Sequence, residues 1–132
     1  MSTHPVENPR GETRTAPHAE KRTGLSFRRH FTKAGRHPYD ELTWEERDAR
    51  ITNFADGSVA FEQLGVEVPS TWSVNATNIL AQKYFRGGLG TPERETSLRQ
   101  VVDRVVDTIT RWGMEGGYFD TGEAEIFRDE LK

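Results

Sequence analysis

The 132-residue chain carries four histidines, His4, His18, His30 and His37, all within its first 37 residues. No two stand at the i, i+4 spacing of a helical metal site, and the chain has no cysteine to complete a zinc set. Without cysteine there is also no disulfide and no thiol chemistry. Carboxylates crowd "DELTWEERD", where Asp40, Glu41, Glu45, Glu46 and Asp48 fall close together. Such a density marks a solvated face, and nothing in the pattern opposes two buried carboxyls as glycoside hydrolysis requires. Ser and Thr lack the G-x-S-x-G elbow that exposes a nucleophile.

The remaining candidate is "KYFRGGLGTPERE", residues 83–95. Its glycines would suit a phosphate-cradling loop if they followed a strand and fed a helix whose N-terminal amides met the anion. Here they follow a helical pattern, and neither GxGxxG nor a Gly-Lys-Ser/Thr ending is present. Thr91 suits an N-cap and Pro92 a first helical position. Glu93 and Glu95 would then favour the helix dipole and repel a phosphate. The stretch therefore reads as a helix–helix turn, and no set of residues composes an active site. The metal, cofactor-binding and catalytic assignments for this chain are accordingly none.

The elements that would carry any site begin after a tail. Residues 1–36 have a net charge of +5, and the remainder has −8, so a weakly acidic total hides a basic arm on an acidic body. Residues 1–23 are polar, without periodicity, and are expected to be a disordered basic tail. No apolar run approaches the length of a membrane span, and the opening residues lack the apolar core of a secretory signal. The expected location is cytoplasmic. "LSFRRHFTKAGRHPY" mixes Phe27, Phe31 and Tyr39 with Arg28, Arg29, Lys33 and Arg36. That mixture can grip single-stranded nucleic acid, or it is an arm whose aromatics plug into a neighbouring surface.

The expected architecture is mainly α with a small β-hairpin over about residues 48–68. "ARITNF" and "SVAFEQ" flank Asp56-Gly57, a tight-turn dipeptide, and "GVEVP" reads as a strand-like exit ended by Pro69. Helices are expected at about 74–86, opened by Ser73, at about 92–112, and at about 121–132, opened by Asp120 and Glu123 in capping-box spacing. In the middle helix Leu98, Val101, Val102, Val105, Val106, Ile109 and Trp112 form one apolar stripe, with Gly113, Gly116 and Gly117 as its stop. At roughly 1.5–3 kcal/mol per fully buried aliphatic side chain, the stripe could contribute on the order of 10 kcal/mol, but only where a partner covers it. The third helix has barely begun its apolar pattern at Lys132, which suggests a domain that continues.

"DELTWEERDARI", "FEQLGVEVPSTWSVNATNILAQKYFRGGLGTPERETSLRQVVDRVVDTITRWG" and "GYFDTGEAEIFRDELK" together resemble the N-terminal region of class II ribonucleotide reductases. The resemblance covers residues 24–132. It implies an adenosylcobalamin (vitamin B12)-dependent oxidoreductase that makes 2′-deoxyribonucleotides from ribonucleotides for DNA synthesis. In that family cobalt–carbon homolysis leads to a protein thiyl radical, and a cysteine pair supplies the electrons. The chemistry sits in a ten-stranded α/β barrel that follows the helical N-terminal region. A chain without cysteine can hold neither the thiyl radical nor the redox pair, and it is expected to stop before that barrel begins, so no catalytic residue of the family maps here.

The expected reading is thus a structural N-terminal segment, with adenosylcobalamin and the ribonucleotide bound by the parent enzyme and the catalytic barrel as partner, in cis or in trans. Leu98, Val102, Val105, Ile109 and Trp112 form its expected packing surface, within the segment or onto the barrel. A second reading is a free-standing module whose basic aromatic arm engages nucleic acid or a protein. It would bind in a steeply salt-dependent way.

Overall fold

The computed structural model describes residues 24–132; the expected disordered tail over 1–23 lies outside the described residues. After an extended arm, a 3-10 turn over Pro38–Glu41 leads into an antiparallel hairpin, β1 (Trp44–Thr52) and β2 (Val59–Pro69). Helix α1 (Val74–Ile79) continues as one π-helical turn over Leu80–Tyr84. A loop then leads to α2 (Leu98–Glu115) and α3 (Thr121–Leu131). Helix and hairpin content is mixed.

The hairpin is longer than its sequence suggests, because two segments read separately are one strand. In β2, Phe61 and Gln63 face the core side, and so do Val66 and Val68. Period-2 alternation cannot put odd and even positions on one face unless a residue is inserted. Leu64 and Gly65 supply that insertion: Arg47 pairs with Val66 and Ala49 with Gln63, leaving two β2 residues opposite Asp48. Gly65 takes φ +69°, open to a residue without Cβ, and its amide donates to Asp48 Oδ1 at 3.1 Å. The hairpin tip is likewise not the two-residue turn expected around Asp56-Gly57. A six-residue loop, 53–58, is closed by Asn53 N–H to the Ser58 carbonyl (2.6 Å) and Gly57 N–H to the Asn53 carbonyl (2.9 Å).

One core lies between hairpin, α1 and the start of α2. Ala49, Val66, Val68, Leu80, Ala81 and Phe85 are buried, with Phe61, Trp72, Leu98 and Val101 packed against them. Arg47 bolts hairpin to helix, donating to the Trp72 and Ser70 carbonyls and to Thr77 Oγ1. A second cluster sits under the C-terminal half of α2. Phe27 from the arm meets Phe119 (5.4 Å between centroids) and Phe127 (5.2 Å), and the arm is secured by Leu25 N–H to the Tyr118 carbonyl. Gly113, expected as part of the helix stop, lies inside α2 instead. A Cβ there would collide with the Phe119 ring, so this glycine makes room for the second core. The stop is Gly116 at the C-cap, followed by Gly117 at φ +77°.

Candidate functional site

The glycine-rich stretch resolves first. The helix does not start at Thr91-Pro92, as the sequence suggests, but at Leu98, with Ser97 as N-cap. Ser97 Oγ accepts from Arg99 N–H (3.1 Å), and Gln100 Oε1 accepts from Thr96 and Ser97 N–H (2.7 and 3.0 Å). Tertiary contact selects this start: Ser97 Oγ donates to Glu67 Oε1 at 2.6 Å, and Glu67 N–H donates to the Thr96 carbonyl at 2.8 Å. Thr91 and Pro92 sit in a turn within the loop, where the Thr91 hydroxyl donates to the Gly88 carbonyl.

The loop is held by Arg94 and Glu95. Arg94 reaches back to the end of the π turn, donating to the carbonyls of Ala81 (2.6 Å), Phe85 (3.2 Å) and Gly87 (3.0 Å) and to Gln63 Oε1 (2.9 Å). It satisfies carbonyls that a helix end leaves without partners. Gly87, at φ +89°, lets the chain cross itself where a Cβ would strike the Glu93 carbonyl. Glu95 accepts from Arg86 N–H (2.8 Å) and twice from Arg104 (3.1 Å each). Hydrogen bonds from Arg104 hold its carboxyl below the usual range despite partial burial. The amides of Arg86, Thr91, Arg94 and Glu95 and the side chains of Arg94 and Glu95 bond within the loop or to the elements it joins, as befits a connection.

The histidines and carboxylates keep to local structure. His37 Nδ1 accepts from Tyr39 N–H at 3.1 Å, capping the 3-10 turn. His30 stacks edge-on against Phe31, while His4 and His18 lie outside the described residues. Among the described residues no group of three or more His, Cys, Asp or Glu could hold a metal. Of the acid run, Glu45 pairs with Arg47 (3.2 Å), and Glu41 with Arg36. A polar cluster that sequence reasoning missed joins the 3-10 turn to α2 and α3. Tyr39 Oη donates to Asp103 Oδ1 at 2.6 Å, and Lys132 Nζ lies 2.9 Å from the same oxygen. Burial pushes the Tyr39 phenol up, reinforced by Asp103. Arg99 lies 4.3 Å over the Trp44 ring beside it. This cluster is a joint between elements; Arg99 Nε is buried there without a hydrogen bond, 3.2 Å from Glu67 Oε1.

Part of the arm's charge is likewise engaged inside the molecule. Arg29 pairs with Asp129 (3.0 Å) and Glu125 (3.7 Å) of α3. Glu130 accepts from the amides of His30, Phe31 and Thr32 and from the Thr32 hydroxyl. Those hydrogen bonds, the Thr32 hydroxyl first, hold the Glu130 carboxyl down at about 2.

What the fold leaves uncovered is apolar. The buried line of α2 is Val106, Thr110 and Gly113, which shares only Val106 with the sequence stripe. Thr110 can sit there because its hydroxyl donates to the Val106 carbonyl at 2.7 Å. Of the expected packing surface, Leu98 joins the first core and Val102 is half-buried. Val105, Ile109 and Trp112 face outward, 47 %, 39 % and 60 % exposed. Trp112 stands as a ridge between two clefts. One is lined by Arg86, Arg104, Val105, Thr108, Ile109 and Trp112. The other runs past Ile109 and Trp112 to Leu25, Phe27, Tyr118 and Phe119. Val105, Ile109 and Trp112 thus form a contiguous exposed apolar patch.

Comparison with known proteins gives this surface its context. The family model described as class II vitamin B12-dependent ribonucleotide reductase matches residues 45–132. The chain belongs to that family. A vitamin B12-dependent ribonucleotide reductase of Streptomyces clavuligerus is 52 % identical over 128 residues, spanning 91 % of this chain and 13 % of the relative. The Rhodopirellula baltica protein of the same name is 44 % identical over 132 residues, covering 97 % of this chain and 12 % of its own. One from Agrobacterium fabrum is 34 % identical, covering 81 % and 11 %. The chain therefore spans about an eighth of the length of these reductases. The matched region takes in the hairpin, all three helices and the exposed face of α2. It leaves out the arm before Glu45.

Proposed function

We propose that this chain serves as the structural N-terminal part of an adenosylcobalamin-dependent ribonucleotide reductase. That enzyme converts ribonucleotides to 2′-deoxyribonucleotides for DNA synthesis. The segment's own task is to dock its exposed α2 face on the rest of the enzyme, the barrel that carries the chemistry. The observation that carries this reading is the ridge of Val105, Ile109 and Trp112, apolar and exposed in a chain of which 91 % matches only 13 % of a full-length relative.

No residue of this segment is assigned to the corrinoid, and the chain has no cysteine to hold a radical or a redox pair. No catalytic step is assigned to the segment. No described helix is long and apolar enough to cross a membrane, and a cytoplasmic location accords with DNA-precursor synthesis. The free-standing nucleic-acid module finds less support, because Arg29 and Arg36 are each paired with carboxylates.

The test is Val105→Asp in the complete reductase. Burying an uncompensated carboxylate in an interface is strongly unfavourable. Melting temperature and deoxyribonucleotide production should both fall. Unchanged melting and activity would remove the docking role.

A further inference from the structure

The cleft on the Arg86 side of Trp112 has a charge asymmetry that selects its occupant. Two guanidinium groups, Arg86 and Arg104, line it, and one carboxylate, Glu95, serves both sides of its wall. Arg104 is fully engaged: Glu95 takes two of its N–H groups, and the Tyr84 carbonyl accepts a third at 3.1 Å. Arg86 differs. Its backbone is pinned at both ends, N–H to Glu95 Oε1 (2.8 Å) and carbonyl from Glu95 N–H (2.9 Å). No carboxylate among the described residues forms an ion pair with its side chain. The cleft therefore presents one guanidinium, anchored at its backbone and without an ion-pair partner among the described residues, above an apolar floor of Val105, Ile109 and Trp112, carrying one positive charge more than it neutralises.

We propose that this cleft seats an acidic, apolar segment of the reductase's own remaining chain. The segment's apolar side chains would lie against Val105, Ile109 and Trp112, and one Asp or Glu would pair with Arg86. The proposal deepens the docking role above and rests on it. Two further observations favour an occupant from the same enzyme. Relatives carry about seven-eighths of their length outside the part matched by this chain. The cleft also lies wholly within the residues that the family model matches. Arg is suited to the task, because its planar fork binds a carboxylate through two parallel hydrogen bonds.

The test is a photo-crosslinker, p-benzoylphenylalanine, installed at position 112 of the complete reductase. An aromatic group thus keeps the ridge. After irradiation at low protein concentration, peptide mapping should locate crosslinks in one stretch outside residues 24–132, with Asp or Glu beside apolar residues. Added to that protein, Arg86→Glu should lower the crosslink yield about tenfold, while Arg86→Lys retains most of it. The yield should also fall as salt rises, since a rim ion pair is screened. Crosslinks to a second copy, or confined to residues 24–132, would overturn the proposal. Crosslinks to a non-acidic stretch, indifferent to Arg86→Glu, would overturn the acidic occupant while leaving the docking role standing. No crosslink in a reductase that also tolerates Val105→Asp would remove both.

Discussion

Arg94 carries more of the fold than any residue that the sequence brings forward. Its guanidinium joins three main-chain carbonyls and Gln63, so Arg94→Ala would leave several partly buried acceptors without partners. The expected loss is about 3 kcal/mol, measured by chemical denaturation of the 132-residue chain, with Arg94→Lys only partly restoring it. An arginine that binds backbone carbonyls has no periodic signature, which is why this role was not legible. Glu130 is a second case, and its prediction is one of pH. Its carboxyl sits near 2, well below its ordinary 4.5, because the arm's amides and Thr32 bond to the ionised form. A depressed folded value means that the stabilisation is present above about 4.5 and is lost as pH falls through about 2. Hydrogen-exchange protection at His30–Thr32, taken relative to the intrinsic rate at each pH, should fall across that window, and Glu130→Gln should show the reduced protection at neutral pH. Protection indifferent to both would mean that Phe27, Arg29 and the Leu25 amide hold the arm without Glu130.

At the scale of elements, start signals compete and tertiary contact chooses between them. Thr91-Pro92 and Ser97-x-x-Gln100 are both good helix openings, and the sequence alone favours the first. The second wins because only Ser97 meets Glu67 on β2. Ser97→Ala should therefore cost more than an ordinary cap, about 2 kcal/mol at the upper end of that range. Thr91→Ala, with a single bond inside an exposed turn, should cost a fraction of that. Equal losses would return the helix start to Thr91. The hairpin teaches the same lesson through parity. "FEQLGVEV" breaks its alternation at Gly65, and only the bulge opposite Asp48 reveals that Val66 and Val68 continue the strand. The stripe of α2 was plain in the sequence; which part of it is covered was not. Periodicity reports an apolar face, whereas burial depends on how the helix is rolled against Phe119 and the hairpin. Gly113 and Thr110, poor core residues by type, mark the buried line because they admit close approach and self-satisfied packing.

For the whole molecule, two small cores joined by α2 stabilise one side and leave the other apolar and open. The family was legible in the motif order of residues 24–132, and the match over 45–132 agrees with it. The surface could not be read that way, since it exists only where the folded segment runs out of its own side chains. The central claim is that the rest of a reductase covers this face. Hydroxyl-radical footprinting of Val105, Ile109 and Trp112 tests it most directly, comparing the 132-residue chain with the complete enzyme. The account predicts strong labelling of Trp112 in the short chain and protection of all three residues in the complete enzyme, with exposed Phe54 at the hairpin tip as an internal reference. Equal labelling of the ridge in both would contradict it.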